Sequence, residues 1–254
     1  MIKISHATIG YHEAVLKDCT FTIQQGGIHV IVGPNGCGKT TLLKAILNPV
    51  MVSQGNIYLG DRKLSEFSLK ERAKCFAYLP QSRPLPHIHA KTLVAHGRFP
   101  YQSFYRSSTK ADRDLVEAIM KETKTDSFAH HYVDELSGGQ RQRVFLAMAL
   151  AQSCDWLLLD EPTTYLDLPA QLEVMALIQD LKAQGKTILL ILHDLSQALQ
   201  IADDLIVMNE GRIEAQGSVD QILSAKVLER VFHIRIKVFE ENHKRYPFIE
   251  AQVD

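Results

Sequence analysis

A chain of 254 residues is long enough to bury a core as one α/β domain with a subdomain, or as two small domains. Hydrophobic residues make up 46% and charged residues 22%, an ordinary globular composition. The formal charge is −1, so no basic surplus drives sequence-independent binding, and a nucleic-acid partner is not expected.

Cys19, Cys37, Cys75 and Cys154 are scattered, with no CxxC pair, and read as free thiols in a reducing compartment. The N-terminal MIKISHATIG has no charged segment ahead of an apolar one, so no signal peptide is expected. No apolar run approaches the roughly 20 residues that span a bilayer. The expectation is a cytosolic protein, or one held at a membrane by a partner.

In chain order, residues 2–9 and 19–23 alternate in period two and predict half-buried strands. IHVIV (28–32) is a nearly unbroken apolar run, as in a strand buried on both faces. GPNGCGKT (33–40) then fits G-x-x-x-x-G-K-[ST], and TLLKAIL predicts a helix directly after it.

That chemistry needs those residue types. Glycines let backbone N–H groups converge on phosphate oxygens without Cβ clashes, and the helix start adds favourable potential. The candidate phosphate-binding residues are Gly33, Pro34, Asn35, Gly36, Cys37, Gly38, Lys39, Thr40 and Thr41. Lys39 reaches the β- and γ-phosphates, the Thr40 hydroxyl ligates Mg²⁺, and Cys37 reads as a small loop residue.

QGNIYLG (54–60) predicts a strand. From about residue 85 to 152 the texture becomes helical, with DRDLVEAIMKETK as one helix. In DELSGGQRQR (134–143), Ser137 and Gln140 have capping-box spacing ahead of the apolar VFLAMALAQ, so Ser137 is expected to cap a buried helix. A capped helix start with bare glycine backbone suits an anion. The Arg141/Arg143 pair reads as a solvated helix face. His87/His89 and His130/His131 lack companions spaced for metal and read as loop histidines.

WLLLDEP (156–162) ends a buried strand in two carboxylates, either a solvated turn or a site. Given the phosphate loop, Asp160 is expected to hold Mg²⁺ through water and Glu161 to orient or deprotonate an attacking water. TILLILHD ends another buried strand at His193, a structural histidine or a γ-phosphate contact, with Asp194 capping the next helix. Strands alternating with helices imply a parallel sheet. DLIVMNEGRIEAQG predicts a hairpin. The tail predicts one helix, capped by Ser218 and Gln221, then two strands around IRIKVF and YPFIE.

Taken in order, these pieces resemble the nucleotide-binding subunits of ATP-binding cassette (ABC) transporters over nearly the whole chain, with LSGGQ (136–140) the most specific part. The resemblance implies an α/β fold. It comprises a phosphate-loop NTPase core with a mainly parallel sheet, an N-terminal antiparallel β-subdomain and an inserted α-helical subdomain. The expected division is residues 1–84 and 153–216 for the core, 85–152 for the helical part and 217–254 for a C-terminal extension.

It also implies residue roles. Tyr11 stacks on adenine, unless it is a strand-edge packing residue, and Gln81 of YLPQ touches Mg²⁺ and the attacking water. Ser137, Gly138, Gly139 and Gln140 contact the nucleotide of a second copy, and Asp167 of TTYLD crosses that interface. The implied reaction is ATP plus water to ADP and phosphate, in an ATP-dependent head-to-tail dimer that opens and closes.

VAHGRFPYQSFY (94–105) is similar to the segment after this glutamine in importers of iron–siderophore, haem and cobalamin. That similarity implies an ATPase peripheral to the cytoplasmic face of the membrane. Its partners would be integral-membrane permease subunits and, indirectly, an extracytoplasmic binding protein. Phe99, Tyr101, Phe104 and Tyr105 either dock the permease or pack internally. The alternative reading is a permease-independent soluble ABC ATPase, such as a cluster-assembly scaffold. A non-catalytic nucleotide sensor is a third class, against which Glu161 and His193 both argue.

Overall fold

Short apolar runs set the strands, and the polar residues ending them set where chemistry can sit. The computed structural model describes residues 1–10, 13–102, 108–241 and 244–251. Among these, the strands are β1 (Ile2–Gly10), β2 (Ala14–Ile23), β3 (Gly27–Val32), β4 (Val52–Leu59), β5 (Arg62–Lys63), β6 (Phe76–Leu79), β7 (Trp156–Asp160), β8 (Thr187–Ile191), β9 (Asp204–Asn209), β10 (Arg212–Ser218), β11 (Ile234–Glu241) and β12 (Lys244–Ala251). The helices are α1 (Lys39–Leu47), α2 (Leu69–Cys75), α3 (Ala90–His96), α4 (Lys110–Glu122), α5 (Gly138–Ala151), α6 (Leu168–Ala183), α7 (Leu195–Ile201), α8 (Val219–Ser224) and α9 (Val227–Phe232).

The chain divides into two units, Met1–Phe67 with Thr187–Asp254, and Ser68–Lys186. In the first, β1 lies between β2 and β4, antiparallel to both. Ile2, Ile4 and Ile9 of β1 are fully buried, and Ile2 pairs with Ile23 of β2. This is the expected antiparallel sheet. Separately, β3 runs parallel to both β8 and β9. Ile28, Val30, Ile31 and Val32 are all buried, as both faces of a central parallel strand require. Each such side chain contributes roughly 1.5–3 kcal/mol over its exposed state, enough to hold the strand end firmly.

The hairpin from β9 to β10 turns on Glu210 (φ 44°) and Gly211 (φ 76°), the positive pair that a two-residue type I′ turn needs. The tail departs from expectation: the Ser218/Gln221 capping box is present, but two helices follow. Lys226, at φ 51°, leaves the right-handed region and separates α8 from α9. The two predicted tail strands pair as the hairpin of β11 and β12.

In the second unit β6 pairs parallel with β7, whose five residues are all buried. α2 escaped the sequence reading because it is seven residues long and buries none of them, so it leaves no apolar stripe to detect. A Ser68/Glu71 capping box starts it. α5 buries nearly its whole last two turns, from Val144 to Ala151. α3 ends against it at Gly97, where a Cβ would lie 2.2 Å from the Met148 carbonyl oxygen.

The next residue, Arg98, donates to Asp112 of α4 (2.8 Å), to the Ala151 carbonyl (2.8 Å) and to Ser153 (3.0 Å), and lies over the Tyr101 ring. Within GRFP, therefore, Gly97 permits a close approach and Arg98 ties three elements together.

Candidate nucleotide site

The phosphate loop leaves β3 at Val32 and enters α1 at Lys39. Gly36 and Gly38 stand at φ 78° and 105°, backbone that L side chains rarely adopt. A Cβ on Gly38 would also lie 2.3 Å from Leu16 Cδ2, and one on Gly33 would lie 2.3 Å from the Met208 carbonyl oxygen. Gly38 is the N-cap of α1 and supplies no side-chain cap, so no side chain of the cap residue competes for the first N–H groups of the helix.

The Lys39 side chain turns back across the loop. It is 6% exposed, and its ammonium donates to the carbonyls of Gly33 (2.8 Å) and Pro34 (3.0 Å). Burial pushes the Cys37 thiol up, so it is a protonated, inert filler beside Gly33. Asn35 is exposed, and Pro34, Thr40 and Thr41 are half-buried.

In the second unit, Asp160 is 1% exposed at the end of β7, and Glu161 is 7% exposed just beyond it. Glu161 has φ 52°, a left-handed conformation unusual outside glycine. Gln81, two residues after β6, donates its Nε2 to Glu161 Oε2. Thr164 donates to the same oxygen at 3.2 Å. The Tyr78 hydroxyl donates to Asp160 Oδ2 at 3.4 Å. Parallel pairing of β6 and β7 thus brings together Gln81 and Glu161, some 80 residues apart in sequence. Tyr78 and Thr164 were missed by the sequence reading, since a strand tyrosine and a turn threonine carry no signal of their own.

Ser137 caps α5 as its spacing predicts. Its hydroxyl accepts from Gln140 N (3.3 Å), and Gln140 Oε1 accepts from Ser137 N (3.1 Å). Gly139 lies against α6, where a Cβ would sit 2.7 Å from Ala170 Cβ. Asp167 caps α6 by accepting from Ala170 N (3.1 Å). Ser137, Gly138, Gly139, Gln140 and Asp167 line one open cleft of about 500 Å³. Arg143 is no solvated arginine: it lies over the Phe128 ring, 3.6 Å from Glu173, and is mostly buried. His87, expected to be a loop histidine, stacks on Tyr132 and bonds Asp134 at 2.9 Å.

His193 is exposed just past β8, and Asp194 caps α7 by accepting from Ser196 N and Gln197 N. Phe99 is 57% exposed and stacks on His96, whereas the Tyr101 ring lies between Arg98 and Lys74. Tyr11, Phe104 and Tyr105 lie outside the described residues.

The sequence profile of ABC transporters matches residues 16–164, more than half of the chain. The chain belongs to the ABC transporter family. It is 38% identical over 242 residues to the iron(3+)-hydroxamate import ATP-binding protein FhuC of Bacillus subtilis, covering 94% of this chain and 90% of that one. It is 38% identical to the ferric enterobactin transport ATP-binding protein FepC of Escherichia coli over 92% of this chain and 88% of that one. It is 37% identical to the hemin import ATP-binding protein HmuV of Rhodococcus jostii, over 89% and 77%.

Among solved structures, an inward-facing transporter assigned to the metal-chelate type superposes with a TM-score of 0.83 at 25% identity, covering 98% of this chain and 95% of that one. A dimeric ATP-binding cassette in a post-hydrolysis state, bound to ADP and Pi, does so at 0.75 and 27% identity, covering 86% and 99%. The fold is thus that of an ABC ATPase, with an antiparallel N-terminal sheet and mainly parallel central strands. Among the described residues, no helix is long and apolar enough to cross a membrane.

Proposed function

We propose that this chain is the ATP-hydrolysing subunit of an ABC importer for an iron(III)-siderophore or a related chelate, haem or cobalamin. It would act as a head-to-tail dimer at the cytoplasmic face of the membrane, on permease subunits served by an extracytoplasmic binding protein. The observation that carries hydrolysis is the Gln81–Glu161 contact at the end of β7. The siderophore and hemin import relatives support the cargo class.

In this reading the Gly33–Thr41 backbone and Lys39 hold the phosphates of ATP, and Tyr11 stacks on the base. Glu161 accepts the proton of the attacking water, which Gln81 orients, and the water oxygen bonds the γ-phosphorus as the bond to the ADP oxygen breaks. His193 contacts the γ-phosphate. Ser137, Gly138, Gly139, Gln140 and Asp167 meet the nucleotide of the second copy.

The proposed ligands of Mg²⁺ are the Thr40 hydroxyl, the Asp160 carboxylate and the Gln81 amide oxygen. All are hard oxygen donors suited to it, and Gln81 engages Glu161 through nitrogen, which leaves the amide oxygen for a cation. When bound, Mg²⁺ neutralises charge developing on the transferred phosphoryl group.

The test is ATP-dependent uptake of labelled ferric siderophore by cells carrying wild type or Glu161→Gln, with co-purification from membranes. Uptake abolished by Glu161→Gln supports the proposal. Normal uptake without the chain, or a chain that never fractionates with membranes, refutes it.

A further inference from the structure

Arg83 stands two residues after Gln81, in a segment with no regular secondary structure. Its guanidinium makes three contacts within the second unit. One Nη donates to the carbonyl of Pro80, immediately before Gln81, at 2.7 Å. The other donates to the side-chain oxygen of Gln142 on α5. The plane lies 3.9 Å from the centroid of the Phe145 ring, one turn further along α5. Gln142 and Phe145 are both buried. Burial, with Arg141 nearby, lowers the Arg83 pKa to about 10, so it remains a cation at neutral pH.

A planar fork that donates on two sides while stacking on an aromatic fixes position and orientation together, which lysine cannot reproduce. The Pro80 carbonyl lies one residue past the end of β6, and the Arg83 bond to it closes the turn carrying Gln81. At the other end, Gln142 is two residues past Gln140 of the capping box that starts α5.

We propose that Arg83 is a positioning residue that clamps the Gln81 turn to α5, so that the Gln81–Glu161 contact and the Ser137–Gln140 helix start move as one piece. This rests on the reading of Gln81 and Glu161 given above and adds how their contact is held. Its fork is taken up by Pro80 and Gln142, so Arg83 acts through Gln81.

Arg83→Met keeps a stem on Phe145 and removes the fork; Gln142→Leu removes one acceptor. Hydrogen–deuterium exchange of the full chain tests the clamp without relying on activity. Peptides spanning residues 80–86 should exchange faster in Arg83→Met, with those of β7 unchanged. Unchanged protection at 80–86 would overturn the clamp.

Steady-state ATP turnover then separates positioning from folding. Arg83→Met should lower kcat by about 10-fold to 10²-fold, as a misplaced catalytic contact does, with the KM for ATP within about threefold and the melting temperature nearly unchanged. In a Gln81→Ala background it should add nothing further, since coupled residues are non-additive. Additive losses, or a kcat loss that follows the melting temperature, refute the inference alone. A Gln81→Ala chain with full turnover refutes the role of Gln81 itself, and the positioning role with it.

Discussion

Gln81 and Glu161 share a hydrogen bond in which the amide nitrogen donates to the carboxylate. Glu161 is therefore held by a side chain that reports directly on the segment between β6 and α3. Replacing Glu161 with Gln keeps shape and volume but removes the proton acceptor. Turnover should fall on the order of 10²–10³-fold while ATP still binds. With hydrolysis blocked, size-exclusion chromatography in ATP and Mg²⁺ should show a dimer peak that wild type shows weakly. A purely monomeric profile would count against the shared nucleotide site.

Lys39 gives a separate prediction, because its ammonium is satisfied by the loop's own carbonyls rather than by a distant element. Lys39→Ala should leave the melting temperature close to wild type, since the two carbonyls can turn to water. It should weaken binding of a fluorescent ATP analogue by more than about tenfold, or about 1.4 kcal/mol. Unchanged affinity would remove the phosphate loop from the nucleotide site.

The parts legible in the sequence were those written in contiguous residues. The strand ending in GPNGCGKT, the capped start at Ser137 and the buried runs of β7 and β8 each carry their own signal within about a dozen residues. Contacts between distant segments were not legible. Arg98 looked like part of a lineage-specific segment, yet Asp112, Ala151 and Ser153 occupy its donors. Arg83 read as nothing, because the two side chains that hold it, Gln142 and Phe145, lie 59 or more residues away on α5. The break at Lys226 was invisible because a left-handed lysine has no compositional mark. Long side chains reaching across a fold leave no periodicity for a sequence to display.

Acid should weaken the helical part of the second unit through Asp112. Arg98 above all, with Thr109, holds the Asp112 carboxyl below the usual carboxylate range, and both members of the ion pair are 12% exposed. A carboxylate depressed in the folded state contributes stability at neutral pH and loses it as pH falls through its folded value. The contribution should thus be full above roughly pH 5 and decline below about pH 4. Asp112→Asn should lower the melting temperature at pH 7, at a cost up to the roughly 3–5 kcal/mol of a buried pair broken on one side. The gap to wild type should narrow on acidification. A gap that stays constant with pH would show that packing, not the charge, stabilises this contact.

The two glycines that start α5 should behave differently. A Cβ on Gly139 would sit 2.7 Å from Ala170 Cβ, a short stiff group, so α5 and α6 must separate. Overpacking of this kind costs about 1–3 kcal/mol, more than the roughly 0.5–1 kcal/mol that alanine gains over glycine in a helix. Gly139→Ala should therefore melt lower, and Ala170→Gly should restore it. At Gly138 the nearest atom to a Cβ is Leu166 Cδ2 at 3.5 Å, ordinary contact, so Gly138→Ala should melt at or slightly above wild type. If Gly138 is bare so that the neighbour's nucleotide can approach the backbone, this stable variant should still lose turnover and the ATP-dependent dimer. Full turnover in Gly138→Ala would mean that the helix start, and not the bare glycine, is what the second copy needs.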